Sequence, residues 1–232
     1  FLKSAGVSRE ELVEGDTPKG RFLFARSEIT GSDTAALLAP MIVDILNHFP
    51  WPKSQRWGRG KFRWVRPLHR INILFDGKPL AGALDLGGGD AITFGAASCG
   101  HYFEAPEDID LAGVTSLDDL RARLRAGYVM LDQDERHDAI ISGAKKLAAS
   151  QSCHLNETQL GSYLADIAGL VEWPTPLMGQ IEDRFMLLPP ELLQATIATH
   201  QKYITLSDAD GRFSSHFIVL SNRLGDAARD KV

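Results

Sequence analysis

Thiols are scarce in this sequence of 232 residues: Cys99 and Cys153 are the only two, and they form no CxxC pair. That count excludes a disulfide-built miniprotein and predicts two reduced, buried thiols, which fits a cytoplasmic address. Long apolar runs are absent too. The longest weakly polar run, 35–43, is nine residues and contains Pro40, too short and too interrupted to span a bilayer. The first residues show no basic stretch leading into an apolar one, as a secretory signal would. Gly and Pro, at 21 and 11, stay below the level of a low-complexity chain. No HExxH and no GxxxxGK[ST] occurs, and Gly87-Gly88-Gly89 lacks the later glycine of a dinucleotide fingerprint. Asp208-Ala209-Asp210-Gly211 begins like a calcium loop, but its twelfth position is Val219 rather than Glu, so a hairpin turn is the better reading. The chain opens at Phe1 without Met and closes at Val232 on no obvious terminator, which reads as an internal piece of a longer protein.

What is present is an uneven charge. The whole chain carries 25 Lys+Arg against 30 Asp+Glu, a net −5. Residues 53–70 hold seven of the cations (Lys53, Arg56, Arg59, Lys61, Arg63, Arg66 and Arg70) together with His69 and no acid. The remainder is left with 18 basic and 30 acidic residues, a net −12. Trp57, Phe62 and Trp64 interleave with the cations, the mixture expected where phosphates are neutralised and bases or sugars are stacked. A solvated basic face over core-packed aromatics would produce the same pattern, and Trp57 and Trp64 read more readily as core than as base platforms.

The periodicity predicts a strand over 21–29, entered through Pro18-Lys19-Gly20. A helix follows over 35–48, capped from Ser32, Asp33 or Thr34, with Leu38, Ile42, Ile45 and Phe49 on one face. Alternation over 62–66 and the apolar run 71–75 predict strands before the Asp76-Gly77 turn. Residues 80–86 and 91–94 read as a hairpin or bulged pair across the glycine triplet. Ser116 with Asp119 suggests a capping box opening a helix that ends at Gly127, and 132–149 and 156–167 are also helical in pattern. Residues 170–178 read as a strand broken by Pro174 and Pro176, and a helix runs from Pro190 to about Thr199. Strands at 201–206 and 213–220 close a hairpin through 208–211. Strands cluster and helices come in a block, so the expected class is α+β with a mixed sheet and packed helices. The expected organisation is a single domain over 1–232, with 1–20 as an N-terminal extension.

Cys99, His101 and Glu104 lie close enough for a thiol dyad or a metal half-site, but no second pair with ligand spacing accompanies them. Glu172 falls among Leu170, Val171 and Trp173, where a carboxylate would be costly unless paired; Lys202 and the basic run are the candidate partners. A buried pair fixing the sheet accounts for it, and so does a pocket lined by His101, Glu172, Gln201 and Lys202.

At these residues the sequence resembles a known family. Lys53-Ser54-Gln55-Arg56-Trp57-Gly58, then Phe62 to Pro67 and His69, is similar to the KSMRWG…RFVRPIH block of the β subunit of bacterial glycyl-tRNA synthetase. Gly100-His101, Leu170 to Pro174, Leu188-Pro189-Pro190-Glu191, His200 to Tyr203, Asp208 to Gly211 and His216-Phe217-Ile218 with Asn222 follow in that family's order. The similarity runs from about Gly6 to Asn222; Tyr102 stands where Arg is usual and Ile204 where Phe is usual. The resemblance implies a fold like the B3/B4 domain of the phenylalanyl-tRNA synthetase β chain. It implies a cytoplasmic α2β2 enzyme that charges tRNA(Gly) with glycine, with ATP and Mg bound by the α subunit. It implies no cofactor and no catalytic residue in this chain, which alone is expected to be inactive and to have no membrane partner. In that setting the seven cations grip tRNA backbone. The alternatives are a hydrolytic editing pocket at His101, Glu172, Gln201 and Lys202, and a purely structural platform for the α subunit. A synthetic site for glycine excludes larger amino acids by size, which lowers the need for editing.

Overall fold

The computed structural model describes residues 2, 6–25, 30–161 and 163–225. It divides into two compact units, Phe1–Pro50 and Trp51–Val232.

In the first unit, β1 (Leu12–Thr17) and β2 (Gly20–Ala25) form an antiparallel hairpin in which Thr17 pairs with Gly20 across Pro18-Lys19. Gly20 takes φ +116°, a conformation that side-chain-bearing residues rarely adopt. The strand expected at 21–29 is borne out as far as Ala25; residues 26–29 lie outside the described ones. Its partner β1 was not legible, because Glu14 and Asp16 dilute the apolar pattern. Helix α1 (Thr34–His48) starts after Asp33 and contains Pro40. Its half-buried stripe is Ala35, Leu38, Ala39, Ile42, Val43 and Leu46, the i, i+3, i+4 series of a helix face. Ile45 and Phe49, expected on that face, are exposed instead.

The second unit opens with the basic run, which is not the strand expected at 62–66. It is a loop drawn together by one antiparallel bridge between Gln55 and Trp64. The run 71–75 splits into two strands. In the first, β3 (Ile71–Asn72) pairs parallel with β7 (Asp90–Gly95). In the second, β4 (Leu74–Phe75) folds back on β5 (Lys78–Pro79) through Asp76 and Gly77, both at positive φ. β6 (Ala83–Gly87) pairs antiparallel with β7 and carries the expected bulge, giving a mixed three-stranded sheet of order β3-β7-β6. β8 (Ala97–Cys99) and β9 (Asp108–Asp110) form a separate hairpin.

Helix α2 (Leu117–Ala126) begins as expected, with the Ser116 hydroxyl accepting the Asp119 N–H, and ends at Gly127. Asp132 caps α3 (Gln133–Ser150) through the Asp134 N–H. The helix expected over 156–167 is broken into α4 (Glu157–Gly161) and α5 (Leu164–Ala168). Residues 170–174 turn rather than extend, and the strand β11 (Thr175–Gln180) starts later than expected. Helix α6 (Pro190–Gln194) widens into a π-type turn over Ala195–His200. The last hairpin, β12 (Ile204–Ser207) and β13 (Phe213–Ser221), is where the sequence placed it, with the Asp208 carboxylate accepting the Asp210 and Arg212 N–H groups across the turn. With β10 (His154–Leu155) these strands make an antiparallel sheet of order β10-β12-β13-β11.

The main core lies between that sheet and helices α3 and α5, where Ile140, Leu160, Ile167, Ile204, Leu206 and Ile218 are almost fully buried. Gly143 lets α3 approach β11, because a Cβ there would lie 2.7 Å from the Pro176 ring. The class is α+β with mixed and antiparallel sheets and packed helices, as expected. Cys153 is buried beside Ser214 (3.3 Å), whereas Cys99 is exposed on β8, contrary to the expectation that both thiols are buried.

Candidate nucleic-acid interface

The basic loop is built on aromatic packing. Trp51 meets Trp64 edge-on at 5.1 Å, Trp64 stacks on Phe62 at 6.0 Å and 14°, and Phe62 meets Trp57 edge-on at 5.7 Å. These four rings are half-buried, so the aromatics that alternate with cations form the loop's own small core. Two backbone bonds fasten that core to the sheet: the Lys61 and Phe62 N–H groups both donate to the Leu86 carbonyl, at 2.8 and 3.2 Å. Gly60 is buried at this junction and its missing side chain is required, since a Cβ would collide with the Leu86 carbonyl. Gly88, at φ +67°, meets the Arg59 backbone from the other side. Gly87 and Gly88 therefore close on the loop's backbone, while Gly89 stands in open space.

Folding in this way turns all seven cations outward. Three of them are tied down. Arg59 pairs with Asp90 at 3.0 Å, and Arg63 donates to the Ser54 hydroxyl and carbonyl. Arg70 pairs with Asp108 at 2.8 Å while reaching the Ala97 and Ser98 carbonyls. The Arg70 guanidinium holds the Asp108 carboxyl below the usual carboxylate range. The side chains of the other four, Lys53, Arg56, Lys61 and Arg66, make no hydrogen bond or ion pair with any described residue. The acids that compensate the run, Asp90 and Asp108, come from β7 and β9, and no local pattern in the sequence indicates that pairing.

The four candidates for an editing pocket are placed differently from one another. His101 is fully buried. Its Nδ1 accepts the Phe103 and Glu104 N–H groups, both at 3.3 Å, so it caps the turn between β8 and β9, and its Nε2 has no partner. Glu172, expected to be buried and paired, is exposed, because residues 170–174 turn at the surface. Its N–H and that of Trp173 donate to the Asn222 side chain at 2.9 and 3.1 Å, a clamp that gives Asn222 its structural use. Lys202, at φ +58°, pairs with Asp166 rather than Glu172. Gln201 and Lys202 share a cavity of about 70 Å³ with Val171 and Tyr203, and neither His101 nor Glu172 lines it. Of the cluster Cys99, His101 and Glu104, the thiol is exposed, the imidazole caps a turn, and Glu104 is bound to Arg223 at 2.9 Å.

The family model for the glycyl-tRNA synthetase beta subunit matches residues 1–232. The chain belongs to that family. The glycine–tRNA ligase beta subunit of Ruegeria sp. is 40% identical over 223 residues, covering 96% of this chain and 32% of the relative. That of Rhodospirillum centenum is 37% identical over 243 residues, 96% of this chain and 33% of the relative. That of Phenylobacterium zucineum is 38% identical over 231 residues, 99% and 32%. This member of the β-subunit family thus spans about a third of the length of the curated relatives it matches. No helix among its described residues is long and apolar enough to cross a membrane.

Proposed function

We propose that this chain is a tRNA-contacting and architectural module of a cytoplasmic glycine–tRNA ligase, in which an α2β2 assembly attaches glycine to tRNA(Gly). The observation that carries the reading is the loop of seven outward cations, four of whose side chains have no partner among the described residues, on an otherwise acidic β-subunit chain. Cations that are already fixed by Asp90, Ser54 and Asp108 hold the loop's shape. The free ones remain available to phosphate, which is the division of labour a backbone grip needs.

In this reading ATP with Mg is bound by the α subunit. Adenylation then belongs to the α subunit, and this chain takes no step of it. Its own contribution is to hold polyanion in a fixed register.

The test is tRNA(Gly) binding across a salt series by the full-length β subunit and by its Lys53/Arg56/Lys61/Arg66→Ala variant. Each neutralised phosphate contributes about 0.7–0.9 to the slope of log K against log[salt], so removing these four cations should flatten the slope by roughly 3. Over a fourfold rise in salt, wild type should then lose roughly 50- to 150-fold more affinity than the variant. Equal slopes would overturn the reading and leave a structural platform for the α subunit.

A further inference from the structure

A second aromatic–cation surface stands on the hairpin that Arg70 of the basic run reaches, and the function above makes no use of it. It is centred on the turn that follows β8. Tyr102 is 78% exposed and Phe103 58%, and the two rings meet edge-on at 4.9 Å. Large aromatics this exposed, side by side, are uncommon on a surface with no partner. The turn that displays them is rigidly built. His101 beneath it accepts two of its N–H groups, the His101 N–H donates to the Gly127 carbonyl at 2.8 Å, and Glu104 accepts from both Arg223 and the Leu224 N–H. Arg223 lies over the Phe103 ring at 4.6 Å.

The surface continues through two connections. Residue Gly127, which receives His101, leads into Tyr128, whose ring meets Trp173 edge-on at 5.5 Å, and Arg125 lies over Trp173 at 5.5 Å. The side chain of Asn222, adjacent to Arg223, accepts the Trp173 N–H at 3.1 Å. Two cation–π units, Arg223 with Phe103 and Arg125 with Trp173, are thus joined through the same few residues. We propose that this surface stacks unpaired nucleotides of RNA, with Tyr102 and Phe103 as the exposed platform.

The charges around it define the mode of binding. Arg223 is paired with Glu104 and Arg125 with Glu135, and the Glu172 carboxylate is exposed and pairs with no described residue. A surface with no net positive charge cannot hold phosphate as its main contact. Ring stacking, which tolerates any base, is what these side chains offer. Duplex RNA keeps its bases stacked on one another, so it gains nothing here.

The proposal rests on the reading that the chain contacts tRNA, and its test separates the two. The full-length β subunit is titrated with an oligoadenylate of about eight nucleotides, within the ~4–16 that stacking sites span, and with a blunt RNA duplex. Tyr102→Ala should weaken oligoadenylate binding by about 5- to 140-fold, the loss of one stacked base. The salt slope and duplex binding should not change, and Tyr102→Phe should bind as wild type does. Because Tyr102 is mostly in solvent, its loss leaves the fold intact, and an unchanged melting temperature confirms that. Equal oligoadenylate affinity for wild type and Tyr102→Ala overturns the proposal, as does no oligoadenylate binding by wild type. Loss of a co-purifying α subunit with RNA affinity unchanged also overturns it, by making the surface a protein contact. An unchanged salt slope in the four-cation variant instead strikes the grip reading alone.

Discussion

Replacing Gly60 with alanine removes no charge from the basic loop, yet it should undo the loop's geometry. The added Cβ would collide with the Leu86 carbonyl, which is backbone and cannot rotate away as a side chain would. That carbonyl accepts the Lys61 and Phe62 N–H groups at 2.8 and 3.2 Å, so making room for the methyl pulls both bonds apart. At about 0.5–1.5 kcal/mol net per bond, the loss is roughly 1–3 kcal/mol. For a chain of this size about 2 kcal/mol corresponds to a melting temperature lower by roughly 4–8 °C. Phe62 then loses its fixed contact with Trp57 and Trp64, and the cations lose their register. Differential scanning calorimetry reads the stability, and tRNA titration reads the grip. Gly161→Ala is the control, because a Cβ there meets nothing within 4 Å. Melting of Gly60→Ala within about 1 °C of wild type, the scale on which surface substitutions fall, would refute the account of how the loop is anchored.

Two further outcomes follow from the turn after β8. The Arg223 guanidinium, and after it the Leu224 N–H, hold the Glu104 carboxyl below the usual range. A carboxyl so depressed stabilises the fold above its unfolded value near 4.3, and that stability is lost as pH falls through the lower folded value. Wild type should therefore lose melting temperature on acidification below about pH 4, and Glu104→Gln should be less stable at neutral pH and show a shallower acid loss. His101→Leu strands the Phe103 and Glu104 N–H groups without an acceptor and should cost about 1–3 kcal/mol in urea unfolding. A His101→Leu protein as stable as wild type would mean that the imidazole does not cap the turn.

The site was legible in outline and not in its wiring. The density of cations over 53–70 and the interleaved aromatics are visible in the chain, and so is the order of family blocks. The strand expected at 62–66 failed because alternation describes any run with one face covered, and here the covering face is an aromatic cluster within the loop itself. Glu172 was expected to be buried because its neighbours are apolar. Leu170, however, is 64% exposed, and the segment turns at the surface. Asn222, by contrast, carried a family signal whose meaning, a clamp on residues 172 and 173, only appeared in three dimensions.

By itself the sequence determined what depends on neighbours a turn away. The Ser116 cap, the Asp76-Gly77 and Asp208-Gly211 turns, the final hairpin and the concentration of positive charge belong to that class, because each is settled by side chains reaching their own backbone or by counting charges. Only the tertiary structure decided which cations are spent on Asp90, Ser54 and Asp108, whether His101 is a capping group or an accessible base, and that Arg223 lies over Phe103 and Arg125 over Trp173. Those outcomes are set by burial and by ion pairs between strands and helices far apart in the chain. Such contacts leave no periodic trace in the order of the residues.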